Sequence, residues 1–178
     1  GFHVKVNMVV IKNLNHTEII DFVEWTKNKP VHVRFIEFMP FTGNKWENEK
    51  VFTLNEMLEV ISSEYDILPL EKEKHETAKK FIIPEHKGTF AVISTMSAPF
   101  CSDCNRMRLT ADGKMKNCLF SQSETDLLTP FRNKDDILPL IYQSMLDKKK
   151  ALGGQFTTDT ELIDTSKLTN RSMITIGG

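Results

Sequence analysis

Cysteine is scarce in this sequence, with 3 residues of 178, and all of them lie between positions 101 and 118. An odd number of cysteines at tight spacing argues against the disulfide framework of a small secreted domain. It favours an intracellular metal site, because two thiolates at C-x2-C spacing can wrap around one ion. No fourth cysteine exists, so a site closed by four cysteines is excluded.

An excess of charge of one sign and long apolar runs are also missing. The net charge is −1, so no long-range attraction to nucleic acid or to a membrane surface is expected. No apolar run approaches the ~18 residues that span a bilayer, and no signal peptide opens the chain. The 40% hydrophobic and 26% charged residues are ordinary for a soluble globular protein. The chain begins at Gly1 and enters a strand-like segment at once, which indicates a piece of a longer protein.

The beginning of the chain predicts a βαβ unit. Residues 4–10 are rich in β-branched side chains and indicate a strand. Residues 15–18 resemble a capping box, and the helix that follows runs to about Lys29. Residues 31–38 alternate as a second strand. A strand, a helix and a strand in this order predict a parallel pair with a right-handed crossover.

Charged and polar side chains on these strands need partners. Lys5 and Asn7 lie two residues apart, so they point to one face of the first strand. Two interpretations stay open: a solvated edge strand, or polar groups directed into the lumen of a barrel. Arg34 and Glu37 on the second strand predict a structural ion pair. Met39 follows at the carboxyl end of that strand, where parallel α/β folds bind ligands, although its default role is in the core.

The pattern changes in the middle of the chain. Residues 53–56 form a second capping box, followed by an amphipathic helix. Residues 71–80 are a mixed charge run that predicts a solvated connection. Strands at 81–83 and 89–94 follow each other without a helix between them, which indicates antiparallel structure.

This change places a domain boundary near residue 50. The first domain is then 1–50 and the second is 51–178. In the second domain, residues 133–150 predict a long helix that ends at Gly153 and Gly154.

The cysteines are connected by a predicted hairpin, because Asp112-Gly113 is the strongest short turn signal in the chain. A two-residue loop would place Cys118 opposite Met107. A three-residue loop with Gly113 in the left-handed conformation would place Cys118 opposite Arg106 instead. A shift of one residue moves every side chain to the other face. We predict the three-residue loop, because only this register puts Cys118 on the same face as Arg106.

The residues alone leave the bound group open between zinc and an iron–sulfur cluster. A closed structural zinc site requires a fourth ligand, for which His75 and His86 are distant candidates. A cubane cluster held by three cysteines leaves one iron open to another ligand. Arg106 and Arg108 beside such a site favour an anionic ligand, since guanidinium groups bind phosphates bidentately.

The stretch CSDCNRMRLTADGKMKNCLF, together with VKVN, RFIEFMPF and the terminal IGG, resembles the GTP 3′,8-cyclase family, radical-SAM enzymes of molybdenum cofactor biosynthesis. The resemblance covers essentially the whole chain, but only the C-terminal half or so of the family's length. It implies an α/β fold, with the last βαβ part of a radical-SAM partial TIM barrel in residues 1–50. Residues 51–178 would then be a C-terminal α+β subdomain that binds GTP, with an antiparallel hairpin carrying the cysteines and a Gly-Gly tail.

The same resemblance implies roles for individual residues. The metal group is a [4Fe-4S] cluster whose open iron binds the guanine of GTP. The implied roles are metal ligands in Cys101, Cys104 and Cys118, GTP binding in Lys5, Arg106, Met107 and Arg108, S-adenosyl-L-methionine (SAM) binding in Met39, and a catalytic tail in Gly177 and Gly178.

One part of the family pattern is missing from this sequence. The family's N-terminal C-x3-C-x2-C motif holds a second [4Fe-4S] cluster, which cleaves SAM. In the family, the resulting 5′-deoxyadenosyl radical takes the 3′ hydrogen of GTP, and the C3′ radical attacks C8 of guanine to give 3′,8-cyclo-7,8-dihydro-GTP. The resemblance therefore implies the GTP-binding part of a lyase, and we expect this chain alone to be inactive.

The implied partners are GTP, a downstream cyclic pyranopterin monophosphate synthase and a second copy of the full-length protein, with no membrane and no nucleic acid. The implied compartment is the cytoplasm of a bacterium, which is favoured, or the mitochondrion of a eukaryote. An alternative from another functional class is a zinc-ribbon-like interaction module without catalysis. A ubiquitin-like carrier is discounted, because the βαβ opening and the metal site do not suit a small β-grasp domain.

Overall fold

The computed structural model describes residues 1–155 and 169–176, within two compact units. Unit 1 comprises Gly1–Met39 and Glu47–Asp103, and unit 2 comprises Pro40–Trp46 and Cys104–Gly178. This division follows contacts within the chain, and the assignment of separate domains on either side of residue 50 stays a prediction. No helix in the described residues is long and apolar enough to cross a membrane.

Unit 1 is built on a mixed sheet with the strand order β1-β2-β5-β4-β3. The first three strands in this order are parallel, whereas β4 pairs antiparallel with β5 and β3 with β4. The predicted βαβ unit and the change to antiparallel strands are confirmed, and the partial barrel stays a prediction. The elements of unit 1 are β1 (Val4–Val10), α1 (Ile19–Asn28), β2 (Val31–Glu37), α2 (Leu54–Ser62), β3 (Leu68–Pro69), β4 (Lys79–Ile82) and β5 (Thr89–Ile93).

One face of this sheet carries the hydrophobic core of unit 1. Alternate side chains along the parallel strands are buried, as at Met8, Val33 and Phe35. They pack against buried positions of α1 and α2 that recur at helical spacing. Lys5 and Asn7 are exposed and share the opposite face of β1, as their spacing predicts.

The two predicted capping boxes have different outcomes. At α2, the hydroxyl of Thr53 accepts from the Glu56 main-chain N–H at 3.3 Å, and the Glu56 carboxylate accepts from the Thr53 N–H at 2.8 Å, so this box is confirmed. At α1, the predicted box is wrong, because neither Asn15 nor Glu18 caps the helix with its side chain. The Asn15 amide is used in the turn after β1, where its oxygen accepts from the Ile11 N–H at 2.8 Å.

Glu37 at the end of β2 is fully buried, and its partners are not the predicted ones. Its carboxylate accepts hydrogen bonds from the main-chain N–H groups of Leu54 (2.8 Å), Met96 (2.7 Å) and Ser97 (2.9 Å). The Ser97 hydroxyl donates to it as well. The predicted structural ion pair is therefore wrong for Glu37, whose carboxylate is held by main-chain N–H groups and a hydroxyl.

Unit 2 contains a small antiparallel sheet and short helices. The single helix predicted over 133–150 is wrong in its length. Lys134 has a positive φ of 66°, which ends one helix, and Pro139 lies in the first turn of the next. The elements of unit 2 are β6 (Arg108–Leu109), β7 (Lys114–Lys116), β8 (Thr125–Asp126), α3 (Leu128–Arg132), α4 (Leu138–Leu146), a 3-10 turn (Leu152–Gly154) and α5 (Met173–Ile176).

The hairpin between β6 and β7 has the predicted three-residue loop. The Thr110 N–H donates to the Lys114 carbonyl at 2.8 Å, and Arg108 pairs with Lys116. Gly113 occupies the left-handed region with φ 75°, which closes the loop. The predicted register of this hairpin is therefore confirmed.

Candidate functional site

The β6–β7 hairpin of unit 2 brings cations and thiols together. Arg108 and Lys116 are cross-strand partners, so their side chains leave the hairpin on the same face. Continued beyond the paired strands, this register would place Cys118 opposite Arg106. Arg108 is half-buried, and burial together with the charge of Arg106 lowers its pKa, while Cys118 and Cys104 oppose that shift. These groups are therefore close enough to interact electrostatically, as the predicted register requires.

Cys104 has two cationic neighbours in unit 2. Lys148, just after α4, places its Nζ 3.7 Å from the Cys104 Sγ and donates to the Arg106 carbonyl at 2.8 Å. Burial opposes ionisation of the Cys104 thiol, but hydrogen bonds from Arg106 and the charge of Lys148 lower its pKa overall. A lower pKa raises the fraction of thiolate, the form that binds metals, at this position.

The sequence does not single out Lys148, which lies near the end of the predicted helix over 133–150. The helix ends at Leu146 instead, so the lysine is available to the loop that carries Cys104. No pattern in a single sequence links two residues 44 positions apart.

Cys101 belongs to unit 1, where it begins a 3-10 turn that ends at Asp103. The Asp103 carboxylate accepts from the His75 main-chain N–H at 2.9 Å and lies 3.5 Å from the Lys72 Nζ. The predicted solvated connection over 71–80 is correct for the exposed residues 71–74 and wrong beyond them, because Ala78 is buried and β4 begins at Lys79. The connection also binds the turn that starts at Cys101. His86, the other histidine considered for zinc, contacts the Thr26 hydroxyl at 2.7 Å.

The three cysteines are half-buried thiols outside any disulfide. Across residues 1–155 and 169–176, no three side chains of His, Cys, Asp or Glu gather closely enough to hold a metal ion. The donor chemistry still fits an iron–sulfur cluster, because half-buried thiols beside cations are the ligands that such a cluster takes.

A second basic surface lies on the polar face of the unit 1 sheet. Lys5 is the strand neighbour of His32, and Asn7 that of Arg34, whose Nε donates to the Asn7 amide oxygen at 2.7 Å. The imidazole of His32 contacts the Thr89 hydroxyl at 2.7 Å. Burial and the nearby charges of Lys5 and Arg34 lower the pKa of His32. The face therefore presents the positive charges of Lys5 and Arg34, which suit an anionic ligand.

The remaining predicted site residues are spread over the chain. Met39 ends the first segment of unit 1, and Met107 precedes β6 in unit 2, where it is half-buried. Gly177 and Gly178 lie outside the described residues. The structure thus brings together the cationic and thiol residues of the hairpin, and the roles of the other predicted residues stay predictions.

Comparison with known proteins places this chain among proteins of molybdenum cofactor synthesis. The family described as Molybdenum Cofactor Synthesis C matches residues 31–153. GTP 3′,8-cyclase, mitochondrial, of Arabidopsis thaliana is 42% identical over 98% of this chain and 44% of its own length. Molybdenum cofactor biosynthesis protein 1 of Homo sapiens is 40% identical over 97% of this chain and 27% of its own length. GTP 3′,8-cyclase of Alkaliphilus oremlandii is 38% identical over 98% and 52%. The chain thus spans about half or less of each relative.

Proposed function

The chain belongs to the Molybdenum Cofactor Synthesis C family, and on that basis we propose that it is the nucleotide-binding C-terminal part of a GTP 3′,8-cyclase. The observation that carries the proposal is the meeting of Arg106, Arg108 and Lys148 with the thiols of Cys104 and Cys118 in unit 2. The names of the Arabidopsis and Alkaliphilus relatives supply the substrate, GTP.

The arginines would bind the nucleotide. Arg106 and Arg108 repel each other, since the charge of Arg106 lowers the pKa of Arg108. A bound anion relieves this repulsion and accepts bidentate hydrogen bonds from a guanidinium group. Lys148 supports the same loop by donating to the Arg106 carbonyl. The half-buried position of Arg108 strengthens its hydrogen bonds to a ligand, because less water competes for them.

The thiols would hold a cluster. Cys101, Cys104 and Cys118 are proposed as ligands of a [4Fe-4S] cluster, which when bound supplies one iron open to the guanine of GTP. The chain's own contribution is to favour the thiolate form of Cys104 through Arg106 and Lys148.

Other residues extend the proposal beyond the hairpin. Lys5, on the basic face of the unit 1 sheet, is proposed to bind GTP, as is Met107 between the two arginines. Met39 is proposed to bind SAM, and Gly177 and Gly178 to form a catalytic tail. The radical chemistry, with SAM and a second [4Fe-4S] cluster, is proposed for a longer protein that contains this chain.

The wider setting is proposed in the same way. The product 3′,8-cyclo-7,8-dihydro-GTP would pass to a cyclic pyranopterin monophosphate synthase, and the longer protein would form a homodimer. The compartment would be the cytoplasm of a bacterium or the mitochondrion of a eukaryote, and the name of the Arabidopsis relative includes the mitochondrion.

Titration of the purified chain with GTP by isothermal calorimetry tests the binding role. We expect Arg108→Ala to weaken GTP binding by roughly 10- to 100-fold, the loss expected for charge-assisted hydrogen bonds. The matched control is Arg132→Ala, which removes an exposed arginine from α3 of the same unit. Equal affinities of the two variants would contradict the proposal.

Anaerobic reconstitution with iron and sulfide tests the cluster separately. A brown protein whose visible absorbance is lost in Cys104→Ser supports the cluster. A colourless protein that retains one zinc ion per chain would support the zinc-ribbon-like interaction module instead.

We also expect the reconstituted chain to form no 3′,8-cyclo-7,8-dihydro-GTP from GTP, SAM and a reductant. It spans only 44% of the Arabidopsis relative and carries no C-x3-C-x2-C motif. Chromatographic detection of the cyclised product from this chain alone would overturn this expectation.

A further inference from the structure

The hairpin that carries Arg108 is tied to the C-terminal segment 169–176 through one arginine. Arg171 forms a bidentate pair with the carboxylate of Glu124, with Nε 2.5 Å and Nη2 2.6 Å from its two oxygens. The same Nη2 donates to the Asp112 carboxylate at 2.7 Å. Asp112 lies in the hairpin loop and Glu124 lies just before β8, so one side chain joins three parts of unit 2.

The residue before Arg171 makes a second connection. The Asn170 amide donates to the Leu119 carbonyl at 3.0 Å, and its oxygen accepts from the Lys116 ammonium at 3.1 Å. The Thr42 hydroxyl donates to the Asn170 carbonyl. The C-terminal segment is therefore held by side-chain and main-chain groups together.

Lys116 explains why this connection matters for the hairpin. Its side chain is only 1% exposed, and its ammonium contacts the Ser121 carbonyl at 2.7 Å and the Glu124 carboxylate at 3.5 Å. A buried ammonium requires all of its partners, because an unpaired buried charge is costly. Two of those partners depend on the C-terminal segment. Glu124 is bound by Arg171, and Asn170 directly precedes Arg171. Lys116 is also the cross-strand partner of Arg108. The position of β7, the strand against which Arg108 pairs, therefore depends on this network.

We propose that Arg171 is a positioning residue for nucleotide binding, because it couples the C-terminal segment to the hairpin that presents Arg108. The inference rests on the proposed function. Nucleotide bound at Arg108 favours the ordered hairpin, which offers Asp112 to Arg171 directly and holds Glu124 through Lys116. Binding and order in segment 169–176 then stabilise each other, since coupling between two sites is reciprocal.

Hydrogen–deuterium exchange of the purified chain, with and without saturating GTP, tests the coupling. In the unsubstituted protein, GTP is expected to slow exchange in hairpin peptides 106–118 and in peptides 169–176. In Arg171→Gln, the hairpin response to saturating GTP is expected to remain while the response of 169–176 is lost. The GTP dissociation constant is expected to rise by roughly fivefold or more, the lower end of typical coupling.

Two further variants separate positioning from a merely structural role. Arg171→Lys keeps the charge but cannot bridge two carboxylates with a planar fork, so we expect it to recover only part of the response. Arg132→Gln removes an exposed arginine of the same unit and is expected to change neither measurement. If Arg171→Gln does not fold, Asp112→Asn tests the same contact from a side chain that is 47% exposed, and a smaller GTP response in 169–176 is expected.

The outcomes distinguish the two proposals. If GTP does not protect the hairpin in the unsubstituted protein, both the proposed nucleotide site and the coupling are wrong. A second outcome would overturn the coupling alone. In it, GTP protects the hairpin, but Arg171→Gln changes neither the GTP response of 169–176 nor the GTP dissociation constant. If the contact is purely structural, Arg171→Gln will change exchange in 169–176 equally with and without GTP. That result would also overturn the coupling.

Discussion

Glu37 shows how one buried carboxylate organises the end of a strand. Its oxygens receive main-chain N–H groups from the start of α2 and from residues 96 and 97, and it is fully buried. These donors are otherwise orphans, one at a helix N-terminus and two in a loop. The side chain, at the end of β2, therefore fixes the position of the loop that follows β5 and leads toward Cys101.

Replacing Glu37 with alanine is expected to destabilise the protein strongly. The buried N–H groups of Leu54 and Met96 would lose their acceptor, at about 1–3 kcal/mol each, so we expect a loss of at least about 2 kcal/mol in the free energy of unfolding. Urea unfolding followed by circular dichroism measures this loss. The control is Glu47→Ala, whose side chain is 62% exposed in a pair with Lys50 and whose loss should change the free energy by less than about 0.5 kcal/mol. Similar losses in both variants would contradict the role of Glu37.

The sequence predicts which face a side chain takes, but not which distant group it meets. The spacing of Lys5 and Asn7 placed them correctly on one face of β1. For Glu37 the sequence suggested an ion pair, because it shows that a buried charge needs a partner and does not show the N–H groups 59 and 60 positions away. The same limit explains why Lys148 and Arg171 were not found.

The hairpin of β6 and β7 was predictable in its register because a single turn determines it. Gly113 supplies the positive φ that a three-residue loop requires, and the predicted pairing of Thr110 with Lys114 follows. The helices after it were less predictable. Periodicity suggested one long helix, but the positive φ at Lys134 and the position of Pro139 divide the region into two helices. The hydrophobic periodicity does not reveal the backbone conformation at Lys134.

Substitution of Gly113 by alanine is expected to disturb the hairpin for two reasons. The left-handed conformation costs about 1–2 kcal/mol with a Cβ atom. The added Cβ would also lie 2.4 Å from the Cβ of Leu128, which cannot move without shifting α3. Gly43→Ala is a matched control, since Gly43 has φ +87° with nothing within 4 Å of the added atom. Urea unfolding should show a larger loss for Gly113→Ala, and equal losses would refute the clash.

At the scale of the whole molecule, the carboxylates around Arg171 predict how stability depends on pH. The hydrogen bond from Arg171 and the charge of Lys116 hold the pKa of Glu124 below its usual 4.5, although burial opposes this. Arg171 likewise holds the pKa of Asp112 well below its usual 3.8. A lowered carboxyl pKa stabilises the folded protein above the usual pKa, and this stabilisation is lost as the pH falls through the lowered value.

Arg171→Gln should therefore be less stable than the unsubstituted protein at pH 7, and the difference should shrink as the pH falls below about 4.5, where the carboxyl groups become protonated in both proteins. Urea unfolding at pH 3, 5 and 7 measures this trend. Arg132→Gln, which contacts neither carboxylate, should track the unsubstituted protein at each pH. A difference that grows with acidity would show that the carboxylates are not what Arg171 stabilises.

The chain passes between the two units at 39/40, 46/47 and 103/104, so unit 2 is assembled from two separate stretches of sequence. The short stretch Pro40–Trp46 contributes Phe41, whose ring stacks on Phe120 at 5.6 Å between centroids. A truncation at 103/104 keeps every residue of the hairpin and still loses this aromatic pair. Unit 2 therefore cannot be moved into another protein as one continuous segment. A recombinant that took only the C-terminal stretch from a relative would also need a matching seven-residue stretch at Pro40–Trp46.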